Sequence, residues 1–198
     1  GWVSLRWKWR VSSAWKSTKV QECELSYLTS DQIHDLLSEL QKGKNRHAAM
    51  VTKVCLATGA RWSEAESLEA RHILNDQIQF AGTKSGKIRS IPVNTELAQE
   101  LRSHHIKAET GQRLFAPCYS AFRDAIERSG IKLQNGQLTH VLRHTFASHF
   151  MMNGGNILVL QRSLGHANLT MTMRYAHLAP DHLQEVVKLN PLSALTLG

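Results

Sequence analysis

Apolar residues recur along most of this chain at helical spacing, and in one central stretch they fall instead into short strand-like runs. Ile33, Leu36, Leu37 and Leu40 stand at i, i+3, i+4 and i+7, which puts them on one face of a helix. Thr29 precedes that face and Gln32 follows it by three residues, a capping box that starts the helix, and Gly43 ends it. A second helix is predicted from about Arg46 to Thr58, stopping at Gly59, where a left-handed residue costs little. Ser63 and Glu66 make a further candidate capping box, so Arg61 falls in a tight junction between helices that can aim its side chain outward. Strand patterns follow at Ile73 to Leu74, Gln77 to Ala81 and Lys87 to Val93, with turn signals at Asn75-Asp76 and Lys84-Ser85-Gly86. Helical patterns resume over about 95–107, 119–129, 138–152 and 157–164, with shorter pieces over 170–176 and 181–189. The predicted fold is mainly α with a small three-stranded antiparallel sheet, an α+β architecture.

Residues 1–20 break this pattern. Val3, Leu5, Trp7, Trp9 and Val11 alternate with polar residues, and the segment holds four of the five tryptophans and no acidic residue. Arg and Trp together could contact nucleic acid, but a linker or cloning remnant is the simpler reading. The boundaries drawn are therefore 1–23 for this segment, 24–190 for one catalytic domain and 191–198 for a tail.

At 198 residues and 42% hydrophobic, the chain is long enough for one domain with a sizeable core. A formal charge of +8 favours a polyanionic partner, because every phosphate neutralised releases condensed counterions. Cys23, Cys55 and Cys118 are odd in number and far apart, which offers neither a disulfide framework nor a CxxC zinc site and fits a reducing interior. No apolar run approaches the roughly 18 residues of a membrane span, and no cleavable leader is visible. A cytoplasmic protein with no membrane partner is expected. The first residue is Gly rather than Met, which suggests that further sequence precedes it.

The chemistry concentrates near the C-terminus. His140, Arg143, His166 and Tyr175 supply two imidazoles, a guanidinium and a phenolic nucleophile within one mostly helical stretch. His140 and Arg143, three apart on a helix, project from one face and can reach a single phosphate. Taken one at a time, each has a plainer explanation: a solvated polar face for the first pair, a core or surface histidine for His166, a packed ring for Tyr175. His140 and His144, four apart, also have the spacing of two metal ligands, but Val141 stands where a zincin motif needs its Glu base.

The order of the pieces adds what the pieces lack. Thr58-Gly59-Ala60-Arg61-Trp62-Ser63-Glu64-Ala65, Thr83-Lys84-Ser85-Gly86-Lys87, His140-Val141-Leu142-Arg143-His144-Thr145, Leu164-Gly165-His166 and Met173-Arg174-Tyr175-Ala176-His177 resemble, in sequence and spacing, the motifs of tyrosine recombinases, particularly temperate-phage integrases. The resemblance covers about residues 24–190. It implies a site-specific DNA recombinase that cleaves and rejoins strands through a 3′-phosphotyrosyl intermediate, with no cofactor, neither metal nor ATP. It also implies double-stranded DNA as partner, a homotetramer of the full-length protein on DNA, accessory DNA-bending proteins, an upstream DNA-binding domain, and work at the nucleoid of a bacterial host. Roles follow residue by residue. Arg61 and Arg143 would bind the phosphate, Lys84 would protonate the leaving 5′ oxygen, and His140 would assist proton removal from the nucleophile. His166 would bond the phosphate and pack under Tyr175, the nucleophile.

Two other readings remain at this level. A type IB topoisomerase uses similar chemistry but reseals the same strand, and a catalytically inactive relative would bind DNA without cutting it. The Lys84 assignment has its own rivals in Lys87 and Arg89. Lys84→Ala should cripple cleavage of ordinary DNA by roughly 10² or more, yet cut a 5′-bridging phosphorothiolate substrate nearly normally, because a thiolate leaves without a proton. Rescue of Lys87→Ala instead would move the acid three residues along the turn.

Overall fold

The computed structural model describes residues 26–81, 88–108, 111–134, 136–138, 140–181 and 185–194. Residues 1–20, Cys23, Lys84 and Lys87 lie outside them. Helix α1 spans Ser30–Lys42, capped as expected: the Thr29 hydroxyl accepts the Gln32 N–H and the Gln32 side chain accepts the Thr29 N–H. Helix α2 spans Arg46–Thr58 and ends in Gly59 at φ 69°, whose N–H donates to the Cys55 carbonyl. Helix α3, Trp62–Glu66, starts one residue before the predicted Ser63 cap. Arg61 is its N-cap, and the Glu64 carboxylate reaches back to accept the Arg61 N–H at 2.9 Å, so the reciprocal bond forms on Glu64 and not Glu66. Glu66 is occupied elsewhere, accepting from the Trp62 indole and from the Cys118 N–H.

Strands β1 (Ile73–Leu74), β2 (Gln77–Phe80) and β3 (Arg89–Pro92) form an antiparallel sheet in the order β1-β2-β3. Asn75 and Asp76 both have positive φ, 44° and 58°, as a two-residue hairpin turn with the right twist requires. The register pairs Ile78 with Ile91 and Phe80 with Arg89. Ile73, Ile78, Phe80 and Ile91 therefore face the core together.

Helices α4 (Thr95–Ala108), α5 (Tyr119–Arg128), α6 (Val141–Met152) and α7 (Ile157–Leu164) follow, then the short α8 (Thr170–Met173) and α9 (Glu185–Leu189). Helix α6 begins three residues later than predicted, because Gln137 first makes a turn that accepts the His140 and Val141 N–H groups. Tyr175 lies past α8, at the mouth of a single 3₁₀ turn over Ala176–Leu178.

Helix α6 is buried on both sides. Val141 and Leu142 belong to the main core with α1, α2, α5 and the sheet, whereas Ala147 and Met151 join Leu160, Leu164 and Tyr175 in a second cluster. Each fully buried Leu or Tyr-sized ring contributes about 1.5–3 kcal/mol, enough for the second cluster to hold the Tyr175 segment against α6. The chain entering α1 is also tied to α6. Leu28 N–H donates to Thr145 Oγ1 at 2.9 Å, and His149 Nε2 donates to the Leu28 carbonyl at 2.8 Å.

Gly59 is constrained twice. Its φ is left-handed, and a Cβ there would stand 2.7 Å from Leu164 Cδ2 and closer still to the Phe146 ring. Gly130, at φ 70°, has nothing within 4 Å of its notional Cβ. Gly59→Ala should therefore cost about 3 kcal/mol, backbone strain plus overpacking, whereas Gly130→Ala should cost only about 1 kcal/mol. Urea unfolding of the two variants measures the difference.

Candidate active site

Arg61, His140, Arg143, His144, His166, Asn168, Arg174 and Tyr175, with Thr170 and Met171, line one cavity of about 670 Å³. Five of the six residues singled out in the sequence thus come together; the sixth, Lys84, lies outside the described residues. The convergence follows from helix periodicity. His140, Arg143, His144, Ala147 and Met151 occupy one face of α6 at i, i+3, i+4, i+7 and i+11, and that face looks across to the Tyr175 segment.

Arg143 is buried and held by two main-chain carbonyls. Its Nη1 donates to Gly59 O at 2.7 Å and its Nη2 to Leu164 O at 2.6 Å. Those oxygens lie at the C-terminal ends of α2 and α7, where unsatisfied carbonyls concentrate partial negative charge. Burial, with Arg61 alongside, lowers its pKa to about 10, so it stays charged near neutral pH. Two of its five N–H groups are fixed; the others remain for the cavity.

Arg61 approaches from the α2–α3 junction with its side chain 41% exposed. Glu64 holds it, accepting from Arg61 Nη1 at 3.2 Å through Oε1 and from Arg89 Nη2 at 3.0 Å through Oε2. Burial opposes the charge on Glu64, but the Arg61 backbone N–H and the Arg89 and Arg61 side chains outweigh it and lower its pKa. Arg89, 13% exposed, lies over the Phe80 ring at 4.9 Å and passes close to Gly165, where a Cβ would stand 2.7 Å from its Nη1. Gly165 is favoured chiefly by its left-handed φ of 67°, and a side chain there would also push on the Arg89 guanidinium.

His166 is held by Gln161, whose carbonyl accepts the His166 N–H, and by a 2.8 Å hydrogen bond between its Nδ1 and Thr172 Oγ1. Burial, then Arg143, Arg61, Arg174 and Arg89, lower its pKa to about 4. The ring is neutral at neutral pH, and when the Thr172 hydroxyl donates to Nδ1 the Nε2–H is left as a donor. His140 is exposed, its ring 6.2 Å from that of His144. The hydrogen bond to the Tyr175 hydroxyl is made by His144, through Nδ1 at 2.6 Å. Tyr175 itself is 2% exposed, and burial raises its pKa against the opposing pull of Arg174 and Arg143.

Glu64, Arg174 and the role of His144 were missed in the sequence, and Arg89 was visible there only as a rival to Lys84, not as a partner of Glu64. His144 shares the His140 face at i+4, the same spacing that suggested two metal ligands, and Arg174 adjoins Tyr175. Among the described residues no group of three or more His, Cys, Asp or Glu is placed to hold a metal, and no helix is long and apolar enough to cross a membrane. Nothing local pairs Arg89 with Glu64; that contact depends on the β2–β3 register.

A mainly helical domain with a three-stranded antiparallel sheet, carrying a buried phenol in a cavity rich in Arg and His, has the form of a tyrosine recombinase catalytic domain. The chain belongs to the phage integrase family, whose family model matches residues 26–182. It is 54% identical over 178 residues to the integrase of Escherichia phage 186, covering 90% of this chain and 52% of that protein. It is 50% identical over 175 residues to the integrase of Haemophilus phage HP1, covering 88% of this chain and 50% of that one. The solved catalytic domain of bacteriophage HP1 integrase superimposes with a TM-score of 0.80 at 50% identity, over 86% of this chain and 98% of the domain. The chain spans about half the length of these integrases.

Glu64→Gln leaves Arg61 and Arg89 without their shared carboxylate. The expected cost is about 2 kcal/mol, below that of a fully buried pair because Arg61 reaches solvent. Inorganic phosphate should recover part of it by occupying the cavity, and thermal unfolding with and without phosphate tests both points.

Proposed function

We propose that the chain is the catalytic part of a site-specific DNA recombinase that cuts and rejoins strands through a 3′-phosphotyrosyl intermediate. The observation that carries this reading is the convergence of Tyr175, Arg61, Arg143 and His166 on one cavity, a nucleophile beside an array of fixed donors. As the phenol attacks, negative charge spreads over the non-bridging phosphate oxygens. Arg143 meets that charge without reorganisation, since the Gly59 and Leu164 carbonyls already fix its guanidinium. Arg61, steered by Glu64, and the Nε2–H of His166 supply further donors from two other directions.

The remaining roles rest on the family motifs. Lys84 protonates the departing 5′ oxygen, and His140 assists removal of the proton from Tyr175. A phosphodiester is exchanged for a phosphotyrosyl ester of similar energy, so resealing by a second 5′ hydroxyl calls for no ATP. For the full-length protein we place the activity in the bacterial cytoplasm, at the nucleoid, as a homotetramer on double-stranded DNA with accessory DNA-bending proteins. A net charge of +8 suits that partner.

Tyr175→Phe should abolish a denaturation-resistant adduct with nicked duplexes and leave DNA affinity nearly unchanged, and Arg143→Ala should slow adduct formation by about 10² or more. An adduct that persists in the Phe variant, mapped to Tyr27 or Tyr119, overturns the reading. Relaxation of supercoiled plasmid without any exchange between duplexes would favour the topoisomerase alternative.

A further inference from the structure

Tyr175 is 2% exposed, and among the described residues its hydroxyl is hydrogen-bonded to His144. Its Nδ1 stands 2.6 Å from the phenolic oxygen, a short and strong hydrogen bond. His140 occupies the preceding turn of the same helix face, exposed at the cavity mouth, its ring 6.2 Å from that of His144. Phenol, half-buried imidazole and exposed imidazole therefore run in series from the core to the solvent.

We propose that His144 is a catalytic residue, the immediate acceptor of the Tyr175 proton, and that His140 acts behind it as the outlet toward solvent. This rests on the recombinase reading. In the attack, the Tyr175 O–H bond breaks and its proton moves to His144 Nδ1. The electron pair left on the phenolic oxygen forms the new bond to phosphorus, and the bond from phosphorus to the 5′ oxygen breaks with protonation of that oxygen by the general acid. His144 accepts at Nδ1 only as the tautomer carrying its hydrogen on Nε2. In resealing, the 5′ hydroxyl attacks phosphorus and gives its proton to the general acid, left deprotonated by cleavage, while the bond from phosphorus to the phenolic oxygen breaks and the imidazolium returns its proton to that oxygen.

The charges around His144 add a condition. Burial first, then His140, Arg174 and Arg143, hold it neutral, with a pKa of about 4. Arg61 lines the same cavity from the α2–α3 junction. A neutral ring is ready to accept, but these cations make it a weak base. A phosphate docked among Arg61, Arg143 and Arg174 cancels part of their field, so the acceptor strengthens only when the scissile group is in place.

Wild-type chain is first used to capture covalently, from a pool of nicked duplexes of randomised sequence, the duplex that then serves as probe. His144→Asn keeps an amide near the Nδ1 position, able to hold the phenol but not to take its proton. It should bind the probe as wild type does, form adduct at least about 10²-fold more slowly near neutral pH, and gain about tenfold per pH unit as hydroxide replaces the lost base. Over the same range the wild-type rate should stay flat. His144→Gly should regain at least about tenfold in rate with added imidazole, an effect absent in wild type. Should the Gly variant not fold, shown by its circular dichroism, the Asn pH profile decides alone. A wild-type chain that captures no duplex overturns the recombinase reading, and this proposal with it. A wild-type chain that does capture DNA, beside an Asn variant within about threefold of its rate, leaves that reading intact and overturns the role of His144. A slow Asn variant with a flat pH profile also overturns it, making His144 a holder of the ring.

Discussion

Arg143 is a cation inside a protein core, and the arrangement of the surrounding helices is what makes that possible. An unpaired buried charge costs several kcal/mol, more than most single contacts return. Here the cost is offset by two carbonyls at 2.7 and 2.6 Å, delivered by the C-terminal ends of α2 and α7. Both ends are made by glycines at left-handed φ, Gly59 and Gly165. Helix α6 carries the guanidinium, α2 and α7 carry its acceptors, and so the relative placement of three helices is pinned at one group. A lysine could not replace it, because a single ammonium lacks the planar fork that spans two carbonyls and keeps donors free for a third party.

The same economy shapes the rest of the cavity. Arg61 and Arg174 line it beside Arg143, and Arg89 stands behind, yet the carboxylate that answers Arg61 and Arg89 is Glu64. Positive charge is left in excess at the centre, and its effects fall on neighbours: His144 and His166 are both driven to a pKa of about 4, with burial as the first cause, followed for His166 by the arginines and for His144 by His140 and then Arg174 and Arg143. Such a site is destabilised by its own charges until an anion enters, and the anion it suits is one with several oxygens in different directions. A phosphodiester meets that description, whereas a carboxylate would leave donors unmatched.

Much of the fold could be read from periodicity, because the amphipathic face of α1, the Asn75-Asp76 turn and the helix stops at Gly59 and Gly165 are local features with local causes. The boundaries that failed did so where tertiary demands intervened: Ser63 lost the cap of α3 to Arg61 because Glu64 was needed between two arginines, and α6 started late because Gln137 first closed a turn. The residues gathered by the cavity were legible mainly through the order of motifs; singly, a packed tyrosine and a solvated His-Arg pair explain themselves. The pairing of Glu64 with Arg89 was not legible, since it requires α3 and β3 to be adjacent, 25 positions apart in the chain; Arg89 stood out only as a rival to Lys84. His144 was visible as a histidine on the right face but was weighed against a metal rather than against Tyr175, 31 residues downstream.

Tyr175 shows why the plain and the functional explanations of a residue need not compete. Tyr175 belongs to the core with Ala147, Met151, Leu160 and Leu164, and it also lines the cavity, its hydroxyl bonded to His144. The segment carrying it consists of the short α8 and one 3₁₀ turn, with few backbone bonds of its own to fix its position. The buried ring therefore does the work of placing the segment, and through it the oxygen, against α6. A nucleophile on a long free side chain would have to be ordered at each attack, at a cost in conformational entropy. Here that ordering is part of folding, and what remains for the moment of reaction is a proton to remove and a phosphate to meet.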